Sequence, residues 1–371
     1  MRDLLKQLIR TAPTSDKGEI ETAQVLQQFL SPLGIDCEID CWDDKNANFT
    51  ARIAGSGGRP ALLFAGHLDV VPQGQETWAF PAFEGIEQEG NILGRGATDM
   101  LGGIAAVAAA VAEIHNEAGS LAGDLIFSGT AAEETTSVGV KRFVRDVEST
   151  IGPLAGIIVP EPTGMHIMRA HRGILWLKIT TVGKTAHGSM PQLGINAIEK
   201  MVTLIQKLRE HKINYPMHPL LGGCSMSINQ IEGGQAPNIV PDQCSIRVDI
   251  RTLPGQAHNV VIQDIERLLE QLKRHDKDFD ASISVVRSVP ALETDADHPF
   301  LKQVCKALGT DEVRAVGFTT DGPWLARLNA PVIILGPGDP GMCHKPNEYI
   351  AIEQLEQAKE AYKRIIREVL S

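Results

Sequence analysis

His67 and Asp69 stand two residues apart at the end of an apolar run, Ala61-Leu62-Leu63-Phe64-Ala65-Gly66. A run this continuously apolar reads as a strand buried on both faces. Alternate residues of an extended segment share a face, so the imidazole and the carboxylate emerge side by side. That pairing suits a metal-binding imidazole whose ring and tautomer are fixed by the neighbouring acid. Four further segments carry ligand chemistry in similar places. Asp99 follows Gly94-Arg95-Gly96-Ala97-Thr98 and leads into an Ala-rich helical stretch, where Gly102 and Gly103 permit close backbone approach. Glu133 and Glu134 come after the run Leu125-Ile126-Phe127, Glu161 after Ile157-Ile158-Val159-Pro160, and His344 after Gly336-Pro337-Gly338-Asp339.

Each segment alone has an ordinary structural reading: a turn acid, an acid at a helix start, a loop histidine. Together they would have to converge by accident on the strand edge where α/β proteins bind their ligands. Two imidazoles and three carboxylates fill two adjacent divalent sites if one carboxylate bridges. Such ions, about 3.5 to 4 Å apart, activate water and polarise a carbonyl. Mixed imidazole and carboxylate ligands favour zinc, with cobalt or manganese as substitutes. The carboxylate left over, Glu133, is then the natural general base.

The elements that must carry these residues follow from the periodicity. Helices are expected over 2–10, 18–33, 101–117 and 137–148, and strands over 35–41, 48–54, 61–66, 124–128 and 156–159. Strands alternating with helices predict an α/β domain, a mixed sheet with helices on both faces. The middle of the chain changes character. A half-exposed strand over 174–182 is followed by a helix (196–211), strands at 224–232 and 243–251, a helix (260–275) and a strand at 282–286. Strand, helix, strand, strand, helix, strand is an α+β, ferredoxin-like order, and it predicts an inserted domain over 174–287. The first domain, 1–173, then resumes over 288–371 with a helix from His298, a strand at 331–335 and a helix from Ile352.

A net charge of −11 argues against nucleic acid as a partner, since phosphate binding needs clustered Lys and Arg. No apolar run is long enough to span a bilayer, so no membrane association is expected. The first ten residues mix charged and apolar types at helical spacing, unlike a signal peptide. The six cysteines are scattered without a CxxC pair, which points to the cytoplasm.

The series GHLDVVP, GRGATDM, AAEET, PEPT and GMCHKPNEY, spread over nearly the whole chain, resembles the M20 family of dinuclear zinc hydrolases. That resemblance implies that His67, Asp99 and Glu161 hold one metal and Asp99, Glu134 and His344 the other. Asp69 would orient His67, and Glu133 would be the base. The inserted domain resembles the family's lid and dimerisation domain, which implies a homodimer. His187, in Gly183-Lys184-Thr185-Ala186-His187-Gly188-Ser189, is similar to a family histidine that crosses the dimer and stabilises the oxyanion. Asn238 and Arg251 resemble a substrate-binding pair, and Thr319 falls where relatives carry a Gly-Gly-Thr turn. Two departures stand out: Leu101 replaces a common Lys, and Phe318 replaces a Gly beside the substrate. The expected function is hydrolysis of N-acyl amino acids, of deacetylase or desuccinylase type, by a water that two zinc ions activate. A dipeptidase or carboxypeptidase is the alternative. A non-catalytic amino-acid-binding relative would have lost a ligand or the base, and all of these are present.

Overall fold

The computed structural model describes residues 1–117, 119 and 121–371. The chain divides into two units: Met1–Ala170, Glu293–Ala315 and Thr320–Ser371 form one, and His171–Leu292 with Val316–Thr319 the other. The first unit opens with α1 (Arg2–Thr11), α2 (Ile20–Leu30), β1 (Asp36–Cys41), β2 (Ala47–Ile53) and β3 (Ala61–His67). It continues through β4 (Ile86–Gln88), β5 (Asn91–Leu93), α3 (Leu101–Asn116), β6 (Leu125–Thr130), α4 (Val138–Val147), β7 (Leu154–Val159) and β8 (Ile167–His171). The second unit comprises β9 (Gly173–Val182), α5 (Ala197–Glu210), β10 (Ser225–Gly233), β11 (Gln243–Thr252), α6 (His258–His275) and β12 (Asp280–Val289). The chain closes with β13 (Leu292–Glu293), α7 (Pro299–Leu308), β14 (Val313–Val316), α8 (Gly322–Leu325), β15 (Val332–Ile334), β16 (Tyr349–Ala351) and α9 (Ile352–Leu370).

The large sheet of the first unit runs β1-β2-β6-β3-β7-β15-β8-β13, with β14 beside β8. It is mixed, as expected. Its centre is parallel: β3 pairs with β6 and β7, and β7 with β15. Every residue of β3 and β6 is buried, which is why they carry continuous apolar runs, 61–66 and 125–127, rather than an alternating pattern. Leu62 and Phe64 of β3 join a core with α1, α2, α3, α7 and α9. Leu63 and Ala65, on the opposite face, are also buried, and α4 and α8 pack against β2, β6, β15 and each other. Because the central strands are parallel, their carboxyl ends share one edge. His67 lies in register with Thr130, and the residues that follow β6, β7 and β15 leave the sheet on that same side.

Close packing at this edge depends on glycine. A Cβ on Gly103 of α3 would lie 2.1 Å from the carbonyl oxygen of Pro160, and one on Gly336, after β15, 2.3 Å from the same atom. Both glycines therefore let backbone press directly on the residue that precedes Glu161.

The second unit is a four-stranded antiparallel sheet in the order β10-β11-β9-β12. Counted within the unit that is 2-3-1-4, the arrangement of a ferredoxin-like βαββαβ fold. One face is apolar: Leu175, Leu177 and Ile179 of β9 and Cys244, Ile246, Val248 and Ile250 of β11 pack with α5 and α6. The alternate residues face away, giving the period-two pattern of a sheet covered on one side. Asn196 caps α5, its side-chain oxygen accepting from the amide of Ile198 at 3.0 Å.

Element boundaries shift modestly from expectation. The helix expected over 18–33 ends at Leu30 and continues as a 3-10 turn, Ser31–Leu33. The unit boundaries fall outside 174–287 because β9 and β12 extend beyond it as a ten-residue pair. Among the described residues no helix is long and apolar enough to cross a membrane. The packing at Gly103 gives a direct test. Gly103→Ala should destabilise the protein by about 1–3 kcal/mol through overpacking, read as a lowered urea midpoint. An unchanged midpoint would contradict the close approach of α3 to Pro160.

Candidate metal centre

His67 closes β3, and its Nδ1 lies 2.9 Å from the main-chain oxygen of Asp69. A nitrogen facing a carbonyl must carry the proton, so in the neutral ring Nε2 holds the lone pair, the tautomer a metal ligand needs. That Nε2 faces Asp99 Oδ1 at 3.3 Å and Glu161 Oε1 at 3.6 Å. His344 presents its Nε2 to Glu134 Oε1 at 3.0 Å and to Asp99 Oδ2 at 3.3 Å. The two oxygens of Asp99 thus face one imidazole each. His67, Asp99 and Glu161 form one trio and Asp99, Glu134 and His344 a second, with the candidate ligand atoms of each trio within 4.8 Å of one another. One imidazole and two carboxylates per trio, with a carboxylate in common, is a donor set that fits two divalent cations.

The trios differ in access. His67 and Glu161 are buried, whereas the His344 side chain is 54% exposed, so the second trio opens to solvent. His344 also has a φ of 64°, in the left-handed region that a residue with a Cβ seldom adopts. Ala132, just before Glu133, has a φ of 60°. Two of the turns that deliver site residues therefore hold uncommon backbone, a pattern associated with functional sites.

Main-chain hydrogen bonds hold the candidate ligands from behind. The Asp69 carboxylate accepts from the amides of Glu133 (3.0 Å) and Glu134 (3.1 Å), and its Oδ1 lies 3.5 Å from His67 Nδ1. Asp69 thus orients His67 chiefly through its carbonyl and spends its side chain on the Glu133-Glu134 turn. Fully buried Glu348 does the same for Asp99, accepting from the amides of Thr98 (2.8 Å) and Asp99 (3.0 Å). Arg95 neutralises Glu348 at 2.7 Å and lies 5.0 Å from the Trp78 ring centroid. Sequence reasoning missed Glu348, although it lies inside the GMCHKPNEY segment. It also missed Asp321, whose charge acts on Glu133, and Glu19, where burial and then Asp69 push the carboxyl up to about 8.

The electrostatics follow from crowding acids out of water. Burial, then Asp321, raise Glu133 well above the usual carboxyl range, and burial, then Asp99, do the same to Glu161. Burial raises Asp69 to about 6. Burial also works on Asp99, but His344 and His67 outweigh it and hold that carboxyl well below the usual range. For His67, burial opposes protonation, yet Asp99, Glu161, Asp69 and Glu133 win and hold the imidazole well above its ordinary value. Hydrogen bonds to Asp99 and Glu134 raise His344 to about 10.

The remaining residues singled out by sequence lie on the second unit. His187 and Asn238 are brought together: the amide of Gly188 donates to the Asn238 oxygen at 2.8 Å, and His187 bridges to Ile239. His187 Nδ1 accepts from the Ser189 amide at 3.1 Å, which leaves Nε2 as the N–H donor of the neutral ring. Arg251, on β11, is gripped by Asp249, with Nε to Oδ1 at 2.9 Å and Nη2 to Oδ2 at 3.0 Å. Thr319 donates its hydroxyl to the Arg172 oxygen at 2.7 Å.

The chain belongs to peptidase family M20/M25/M40, whose pattern matches residues 63–368. It is therefore a hydrolase of a dinuclear, metal-dependent family. It is 30% identical to the acetylornithine deacetylase of Proteus mirabilis over 380 residues, covering 98% of this chain and 95% of that protein. It is 28% identical to a probable succinyl-diaminopimelate desuccinylase of Staphylococcus epidermidis over 391 residues, covering 96% and 95%. Its fold matches a dinuclear metal-binding peptidase of the M20 family from Bacillus subtilis with a TM-score of 0.75 at 18% identity, covering 99% of this chain and 98% of that one.

An imidazole must be neutral to bind a cation, and the carboxylate neighbours raise the proton affinity of both imidazoles, that of His344 to about 10. Metal binding should therefore release protons, and affinity should rise with pH by about tenfold per unit for each proton displaced. Zinc titrations between about pH 6 and pH 8, well below the raised His344 value, should show this slope. An affinity independent of pH would contradict the protonation of the cluster.

Proposed function

We propose that this hydrolase cleaves the amide bond of N-acyl amino acids, as a deacylase of the acetylornithine or succinyl-diaminopimelate kind. The observation that carries the reading is the Asp99 carboxylate shared between two His-and-carboxylate trios beside a buried Glu133. The relatives of 28% and 30% identity over nearly the whole chain support the substrate class. In this reading His67, Asp99 and Glu161 hold one cation and Asp99, Glu134 and His344 the other, zinc with cobalt or manganese as substitutes. Bound there, divalent cations supply a lowered pKa for water and a Lewis acid for the substrate carbonyl.

The chain's own groups do the rest. Glu133, whose burial raises its proton affinity, takes a proton from the attacking water and hands it to the leaving amine nitrogen. Asp69 keeps Glu133 in place through its amide, so the base is set by the backbone as well as by its side chain. His187, with Nδ1 occupied by Ser189, offers a neutral Nε2–H to the carbonyl oxygen as charge develops there. Arg251, its fork steadied by Asp249, receives the substrate carboxylate, with Asn238 and Thr319 completing the contacts. A peptidase reading has its own support, since the family name and the fold match are those of peptidases. A dipeptide, too, presents an amide close to a carboxylate.

We further propose a homodimer formed through the second unit. Its β10 is an edge strand, and a cavity of about 780 Å³ lies along it, lined by Ile205, Met226 and Ile228 together with Arg209, His211 and Lys212 among others. An unpaired strand edge of this kind favours pairing with a second chain. The free cysteines fit a cytoplasmic setting.

With zinc or cobalt supplied, N-acetylornithine or N-succinyl-diaminopimelate should be turned over faster than dipeptides. The reverse order would install the peptidase reading. Glu133→Ala should lower kcat by about 10²–10⁴-fold with metal content intact. Activity near wild type would remove Glu133 as the base. Asp99→Ala should lose both metals by elemental analysis, and full retention of two equivalents would end its bridging role.

A further inference from the structure

The open face of the second unit's sheet places like charges against each other. Arg247 of β11 is paired in register with Lys178 of β9, on the face opposite the helices. Directly opposed like charges destabilise a sheet. Among the described residues neither side chain has an acid within ion-pair distance. The nearest acid on the strand, Asp249, is already gripped by Arg251. Next to this pair, Arg287 of β12 lies opposite Trp176, its guanidinium carbon 5.5 Å from the indole centroid.

A cavity of about 450 Å³ opens here, lined by Trp176, Asn229, Gln230, Arg247, Asp249 and Val286 among others. Asn229 sits at the irregularity where β10 slips register between Ile228 and Gln230, and a bulge of this kind re-aims side chains. The indole Nε1 of Trp176 is buried and makes no hydrogen bond. A buried donor without an acceptor is costly, and it marks a place where an acceptor would be welcome. The lining thus combines a guanidinium without a counter-ion, an unmet indole N–H, two side-chain amides, apolar walls and the Asp249 carboxylate, whose buried Oδ1 makes no hydrogen bond among the described residues although Arg251 lies 2.9 Å away. On a chain of net charge −11, the opposed Arg247 and Lys178 with Arg287 beside them keep this face cationic against the overall field, Asp249 being held by Arg251.

We infer that this cavity is a binding site for a small organic carboxylate, whose oxygens meet Arg247 and the Trp176 N–H while its carbon skeleton rests on Trp176 and Val286. The guanidinium fork matches a carboxylate in shape. Asp249 in the wall disfavours a more highly charged phosphate. The carboxylate comes either from the far end of a substrate's acyl group or from a separate small acid.

The test uses the full-length, metal-loaded protein labelled with 5-fluorotryptophan, the Trp176 fluorine resonance being assigned from Trp176→Phe. Butyrate should shift that resonance saturably, and uncharged butyramide should not. Arg247→Gln should weaken the butyrate response at least tenfold, and Lys178→Gln several-fold. Both substitutions relieve a like-charge pair, so each should raise the thermal midpoint of the free protein, which separates lost binding from misfolding. A Trp176 resonance that ignores butyrate, responds equally to butyramide, or responds unchanged in Arg247→Gln overturns the site. Inorganic phosphate matching butyrate in an Arg247-dependent way overturns the choice of carboxylate.

One further arm rests on the hydrolase reading and identifies the source of the anion. If Arg247→Gln raises KM for substrates with a carboxylated acyl chain and leaves kcat alone, the carboxylate belongs to the substrate. Arg247-dependent binding without a KM change assigns a separate acid. Both results support the site, and because butyrate binding needs no turnover, failure of the hydrolase reading would leave the binding test intact.

Discussion

Two imidazoles draw on one carboxylate, and the architecture of the first unit is arranged around that sharing. Asp99 turns one oxygen to His67 and the other to His344. Both contacts can exist together only because the end of β3, the segment before α3 and the loop after β15 meet at one point. Crowding Glu133, Glu134 and Glu161 around the same point raises the electrostatic cost of every acid there. The arrangement is sustained because positive charge, as protons on the imidazoles or as bound cations, sits among the acids.

Much of the precision comes from acids that need not touch a cation. Asp69 and Glu348 each accept two backbone amides, and those amides belong to the Glu133-Glu134 turn and the Thr98-Asp99 segment. A ligand fixed through its main chain keeps both side-chain oxygens available. This division of labour explains why one elbow of the site contains so many carboxylates with different tasks.

The strand ends were readable because burial on both faces leaves an unmistakable apolar run, and the residue after such a run is conspicuous. His67 and Glu161 stood out on that basis. The βαββαβ order of the second unit was equally legible, since its helices and one-sided strands are long enough to show their period. Short pieces were not: β4, β5, β8, β13, β14 and β16 hold two to five residues each and carry too little periodicity to register. Glu348 and Glu19 escaped for a different reason. Their importance lies in which amides and charges surround them after folding, and nothing local in the sequence encodes that neighbourhood. Asp69 was recognised for its place beside His67, but its grip on two amides sixty-odd residues away belongs to tertiary structure.

The order in which the ligands occur along the chain has a consequence for synthesis. All members of the first trio precede the second unit, while His344 follows it. A growing chain therefore carries all three members of the first trio long before His344, the last member of the second, is added. The carbonyl of Pro160 is wedged by Gly103 early but meets Gly336 only after β15 has been added. A chain cut after the second unit would hold the residues of the first trio but lack β15, His344 and the Glu348 that accepts the Thr98 and Asp99 amides.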